Sequence, residues 1–118
     1  EPVLISAAEH DQLVAATSHL PHLSAVTLVK AAAELASDFS RYSAGGFADT
    51  TRVALGSPVM WRDICLANKQ AILTALDHFS EQLMTIRSLI AASAGAELET
   101  LFAQAQATRS QFKSARGR

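Results

Sequence analysis

Ala44-Gly-Gly-Phe-Ala-Asp-Thr-Thr-Arg-Val-Ala-Leu-Gly-Ser-Pro-Val-Met-Trp61 decides the fold, because here an otherwise alanine- and leucine-rich helical chain breaks its own pattern. The stretch holds paired glycines, a run of threonines, a charge pair and the only tryptophan. Gly45-Gly46 lets the backbone take positive φ or bring bare N–H groups close to a ligand. Phe47 to Leu55 carries one short helical pattern, with Asp49 and Arg52 three apart on one face. Glycines feeding a helix start favour an anion, since free N–H groups and the helix dipole both attract negative charge. Arg52 adds a permanent cation whose planar fork matches a carboxylate. A surface loop with a solvated ion pair fits the same spacing, and spacing alone leaves both readings open. Ser57-Pro58 then restarts the chain as N-cap and first helical residue.

On either side the sequence reads as helix. Ser6-Ala-Ala-Glu9 fits a capping box, and a helix is expected from about Ala7 to about Ala36. It is apolar on most faces from Ala15 onward, the mark of a central helix. Pro21 sits inside it, lacking an N–H and pressing on the carbonyl of Thr17, so a kink is expected with a polar notch of Thr17, Ser18, His19 and His22. His19 and His22 make half of a metal site at best; with no carboxylate or third histidine at a partner spacing, no metal is expected. Taken singly, each histidine reads first as a satisfied core imidazole. Phe39 and Tyr42 are expected to pack under the glycine stretch, and Val3-Leu4-Ile5 to be a strand end or an extended linker.

Beyond Trp61, a helix should run from Pro58 to about Ala67, with Asn68 capping or bending the chain into a fourth helix that ends near Ala92. Ile72, Leu76, Phe79, Leu83, Ile86 and Ile90 repeat at alternating intervals of 4 and 3, a heptad seam made for packing along another helix. The first helix or a second copy of the chain can cover it, and the composition favours the second copy. After a break at Ser93-Ala-Gly95, a last helix spans Glu97 to about Lys113. Arg109, Lys113, Arg116 and Arg118 suit that helix's C-terminal dipole, and without an aromatic platform they do not suggest nucleic acid.

The 118 residues allow one domain and one core. Hydrophobic residues make up 49% of the chain and the mean hydropathy is +0.16, apolar enough for some of that surface to meet a partner. A net charge of -1 gives no general attraction to nucleic acid or membrane. Cys65 is the sole cysteine, expected as a buried thiol, which excludes a disulfide framework. No leader and no long apolar run is present, so a cytoplasmic protein is expected.

His10-Asp11, Ser18-His-Leu-Pro-His22, Gly45-Gly-Phe-Ala-Asp-Thr-Thr-Arg52, Ser57-Pro-Val-Met-Trp-Arg-Asp-Ile64 and Asn68 together resemble the prephenate dehydrogenase family, in its C-terminal helical substrate and dimerisation domain. The likeness is close from about Glu1 to Phe79 and rests on helical pattern beyond. It implies an all-α bundle, similar to the C-terminal domain of 6-phosphogluconate dehydrogenase, with a long proline-kinked central helix and a homodimeric assembly. The activity implied is oxidation of prephenate with NAD (or NADP), releasing carbon dioxide and giving 4-hydroxyphenylpyruvate on the route to tyrosine. By resemblance Arg52 binds a substrate carboxylate, and His22 and Ser18 line the same pocket. Asp49 holds Arg52 or takes part in gating, Gly45 offers its backbone, and Trp61 packs over the substrate or a facing subunit. The partners the resemblance implies are prephenate or arogenate, and it leaves open whether tyrosine acts as an inhibitor.

One departure matters. No Gly-x-Gly-x-x-Gly occurs, so the family's N-terminal dinucleotide-binding domain, with its catalytic histidine, is missing. The chain is therefore expected to be a single domain that neither binds NAD nor turns over alone, with no catalytic residue of its own. The alternatives are an arogenate dehydrogenase domain and a non-catalytic helical module for dimerisation or regulation.

Overall fold

A computed structural model describes residues 4–36, 38, 41 and 45–112, and among these every regular element is helical. The chain divides into two compact units, Glu1–Asp77 and His78–Arg118.

The first unit opens with α1 (Ala7–Val14). Its capping box is formed as expected: the Ser6 N–H donates to Glu9 Oε1 at 2.8 Å, and the Glu9 N–H donates to Ser6 Oγ at 3.1 Å. Two orphan donors of the first turn are thereby satisfied. The helix then widens into a π turn (Ala15–His19) before resuming as α2 (Leu20–Leu35). Proline explains the widening. Pro21 has no N–H to give and its ring collides with the carbonyl four residues back, so the turn before it opens. The Leu20 N–H reaches Ala15 O, five residues back. The break expected at Pro21 is thus a π turn just ahead of it. Within α2 only His22 and Ala25 are buried, and Leu28 and Leu35 stay exposed in the single chain.

The glycine stretch enters α3 (Gly45–Thr51), followed by a 3-10 turn (Arg52–Leu55). Both pack on α2. Of the two options open at Gly45-Gly46, positive φ is not the one taken. Gly45 and Gly46 lie in the first helical turn without positive φ, because α3 starts earlier than the pattern from Phe47 suggested. Thr51 is buried and its hydroxyl donates to Phe47 O at 2.7 Å. α4 (Pro58–Ala67) starts where Ser57-Pro58 placed it, with Ser57 Oγ accepting from the Met60 N–H. Asn68 leaves helical geometry at φ -113 and ψ 41, and α5 (Lys69–Ala91) begins at once. Asn68 therefore bends the path between two helices.

Among the described residues the buried apolar ones are few: Ala15, Ala25 and Ile72. Cys65, expected to be buried, is only half-buried. Ile72 is the one buried member of the heptad seam.

In the second unit the seam is open, with Leu83 55% and Ile90 60% exposed. Ser93 takes a left-handed φ of 53 in the break after α5. The last helix, α6 (Gly95–Ser110), starts two residues before the expected Glu97. Arg109 lies near its end, its guanidinium 4.5 Å from the Phe112 ring centroid and its Nη1 3.4 Å from Phe112 O. That is the C-terminal role expected of a cation there. Leu4 and Ile5 are exposed and belong to no strand. The expectations for Val3, Phe39, Tyr42, Lys113, Arg116 and Arg118 fall outside the described residues. No described helix is long and apolar enough to cross a membrane.

Candidate functional site

The site forms where α2, the 3-10 turn and α4 meet. His22, in the first turn of α2, is 6% exposed. Trp61, in the first turn of α4, lies flat on it, with ring centroids 3.7 Å apart and planes 6° from parallel. His19, from the π turn, meets the same indole edge-on at 5.9 Å and 84°. One tryptophan is thus held between two histidines that the π turn and Pro21 set in place. Stacks of this kind contribute about 0.5–1.5 kcal/mol beyond the area they bury.

Gly56 makes the stack possible. A Cβ there would lie 2.8 Å from Trp61 Nε1, 3.1 Å from Trp61 Cδ1 and 3.4 Å from His22 Cε1. Its φ of -62 and ψ of 165 suit any residue, so it is the missing side chain that matters. Gly45 and Gly46 differ: a Cβ at either meets nothing within 4 Å. Nothing else in the described chain demands glycine at those two positions.

Electrostatically, burial pushes the His22 imidazole below its ordinary value of 6.5, and contact with the Val53 backbone opposes this in part. The shift favours the neutral imidazole at pH 7 further. Its Nδ1 is buried without a hydrogen-bond partner among the described residues. Such an atom is usually satisfied by a ligand or an ordered water.

Arg52 begins the 3-10 turn that packs on α2, one residue before Val53, and is exposed. Asp49 on α3 and Ser18 on the π turn are exposed too. Among the described residues no ion pair joins Asp49 to Arg52, so both charges face solvent. α2, which carries His22, packs on the 3-10 turn that begins with Arg52, and Trp61 stacks on His22. A cleft of about 440 Å³ in this unit lies apart from His22 and Arg52, and Asp11, Gln12, Asn68 and Lys69 are among its lining residues. No group of three or more metal-ligating side chains occurs among the described residues.

Two participants were not singled out as contacts from sequence. Asn68 donates to Asp11 O at 2.9 Å, and the same nitrogen lies 3.4 Å from His19 Nδ1. The importance of Gly56 depends on Trp61 folding back over it, which spacing does not reveal.

Residues 6–104 match the family model described as "Prephenate dehydrogenase, dimerization domain". The chain is 41% identical over 115 residues to a cyclohexadienyl dehydrogenase of Zymomonas mobilis, covering 94% of the chain and 39% of that protein. It is 41% identical over 91 residues to a prephenate dehydrogenase of Bacillus subtilis, covering 75% of the chain and 24% of that protein. The chain therefore spans well under half the length of these curated relatives. Among solved structures, it superimposes on Synechocystis arogenate dehydrogenase with a TM-score of 0.89 at 29% identity, covering 96% of this chain and 42% of that one. Prephenate dehydrogenase from A. aeolicus, in complex with hydroxyphenyl propionate and NAD+, gives a TM-score of 0.86 at 34% identity, covering 92% and 39%.

Proposed function

The chain belongs to the prephenate dehydrogenase family, through its dimerization domain, and from that premise we propose that it is the substrate-binding half of an NAD-dependent enzyme. The reaction is the oxidative decarboxylation of prephenate to 4-hydroxyphenylpyruvate. One observation carries this reading: His22, with an orphan Nδ1, lies stacked under Trp61 beside the turn that begins with Arg52.

Each residue has a role that its chemistry suits. Arg52 is an exposed, permanent cation that binds one carboxylate of the dianionic substrate and orients it. His22 stays neutral, so its free nitrogen offers a directional hydrogen bond without a competing charge. Trp61 gives the diene ring an apolar wall and at the same time fixes the imidazole. Ser18 adds a hydroxyl from the π turn, Asp49 tunes Arg52 once substrate is bound, and the bare backbone at Gly45 admits the ligand closely.

The described residues do not suit NAD: they form no strand and carry no glycine-rich turn between strand and helix. We place the cofactor, NAD or NADP, in an N-terminal domain outside this chain. The groups that carry out the chemistry belong there too, so the chain alone binds and orients without turning over. The open seam from Phe79 to Ile90 is read as a homodimer interface. A cytoplasmic location goes with this reading, since nicotinamide cofactors are kept inside the cell, and tyrosine fits the same carboxylate site as an inhibitor.

The test is reduction of NAD by the full-length protein supplied with prephenate. Turnover supports the reading, and its absence with a folded protein rejects it. A second reading, arogenate as substrate, draws support from the likeness to Synechocystis arogenate dehydrogenase. Competition between the two substrates in one assay separates them.

A further inference from the structure

We propose that Asn68 is a positioning residue: through the tautomer and orientation of His19 it sets Trp61 flat on His22. The orientation of the Asn68 amide follows from its partners. The Asp11 carbonyl only accepts, so the amide atom 2.9 Å from it is the nitrogen. The same nitrogen faces His19 Nδ1 at 3.4 Å. Having only hydrogens to offer, it makes Nδ1 an acceptor, and the imidazole proton then sits on Nε2.

Asn68 is well placed for this. It occupies the bend between α4 and α5 and lines the 440 Å³ cleft beside Asp11 and Gln12. Its side chain ties that bend to α1, while His19 rides on the π turn. The His19 ring meets the indole edge-on, which restricts how far Trp61 can swing. Trp61 in turn lies on His22, and the absent side chain at Gly56 leaves the indole just enough room. An amide exposed to the cleft is thereby linked to the buried imidazole without touching it.

Asn68→Asp tests the link at nearly constant shape. A carboxylate cannot donate to Asp11 O, and it accepts from His19 Nδ1–H, so the tautomer inverts. In ¹⁵N-labelled protein at pH 7.5, we expect the His19 ring nitrogens to show the Nε2–H pattern in the wild type and the Nδ1–H pattern in Asn68→Asp. The indole N–H resonance of Trp61 should shift while far-ultraviolet circular dichroism stays constant. In the full-length enzyme the variant should raise KM for the cyclohexadiene acid about 10-fold and change kcat less than about 2-fold.

This kinetic arm rests on the function proposed above. A wild-type enzyme without activity on that acid strikes the function and leaves the tautomer result standing. A wild-type His19 protonated on Nδ1 overturns the proposal even if the variant does not fold. So does an Asn68→Asp protein in which the His19 pattern and the indole resonance are both unchanged.

Discussion

Substituting Gly56 with alanine reports directly on the stack. The new methyl would lie 2.8 Å from Trp61 Nε1 and 3.1 Å from Cδ1, where carbon–nitrogen contacts settle near about 3.5 Å. The indole must therefore withdraw by roughly 0.5–0.7 Å or swing away. It cannot move towards His22, whose ring already lies 3.7 Å from it. Overpacking of this kind costs about 1–3 kcal/mol, and the half-buried indole has an outward escape, which favours the lower end. Alanine is compatible with the backbone at φ -62, so a smaller unfolded-state entropy returns about 0.4–1 kcal/mol. Loss of the flat stack adds about 0.5–1.5 kcal/mol of destabilisation. The net expectation is about 1–2 kcal/mol less stable, or a Tm lower by roughly 5–10 °C for a domain of this size. Since Trp61 is the only tryptophan, the near-ultraviolet dichroism of the chain should lose amplitude with it. A Gly56→Ala protein with unchanged or higher Tm and the wild-type indole band would refute the reasoning.

Gly45→Ala should behave in the opposite way: in the open first turn of α3 it should raise stability by up to about 0.5–1 kcal/mol, seen in the urea midpoint, while weakening substrate binding if the ligand approaches there. Acid should destabilise the fold through His22. Its folded value lies below 6.5, so the unfolded chain takes up the proton first and stability falls as the pH drops from about 6.5 towards the lower folded value. For one proton the slope cannot exceed about 1.4 kcal/mol per pH unit, and urea midpoints for wild type and His22→Gln should differ in slope below pH 6.5 but not above it. Leu83→Glu, in the open seam, should convert dimer to monomer in sedimentation equilibrium, since an unpaired charge buried at an interface costs roughly 2 kcal/mol or more.

Local chemistry made much of the fold legible. Ser6 and Glu9 satisfy each other within one turn, and Ser57 caps the helix that Pro58 begins, so both starts could be read from a few residues. Pro21 announced a break, but a proline alone does not say whether the helix kinks or widens into a π turn. The glycine pair left two conformations open, since glycine permits positive φ without requiring it, and α3 starts there. For the site, motifs singled out His22, Arg52 and Trp61. The spacing could not show that Trp61 would lie on His22, that Gly56 would lie against both, or that Asn68 would reach Asp11 across a separation of 57 residues. Such contacts are set by the tertiary fold. The open seam of the single chain fits the apolar composition and its reading as an interface with a second copy.

Titration of 4-hydroxyphenylpyruvate into the full-length protein, wild type beside Arg52→Gln, bears most directly on a carboxylate site built from the turn at Arg52 and the His22–Trp61 stack. Removing a charged partner from a bound carboxylate costs about 2 kcal/mol or more, so affinity should fall at least about 30-fold with the melting temperature unchanged. Equal affinity in the two proteins would contradict the account.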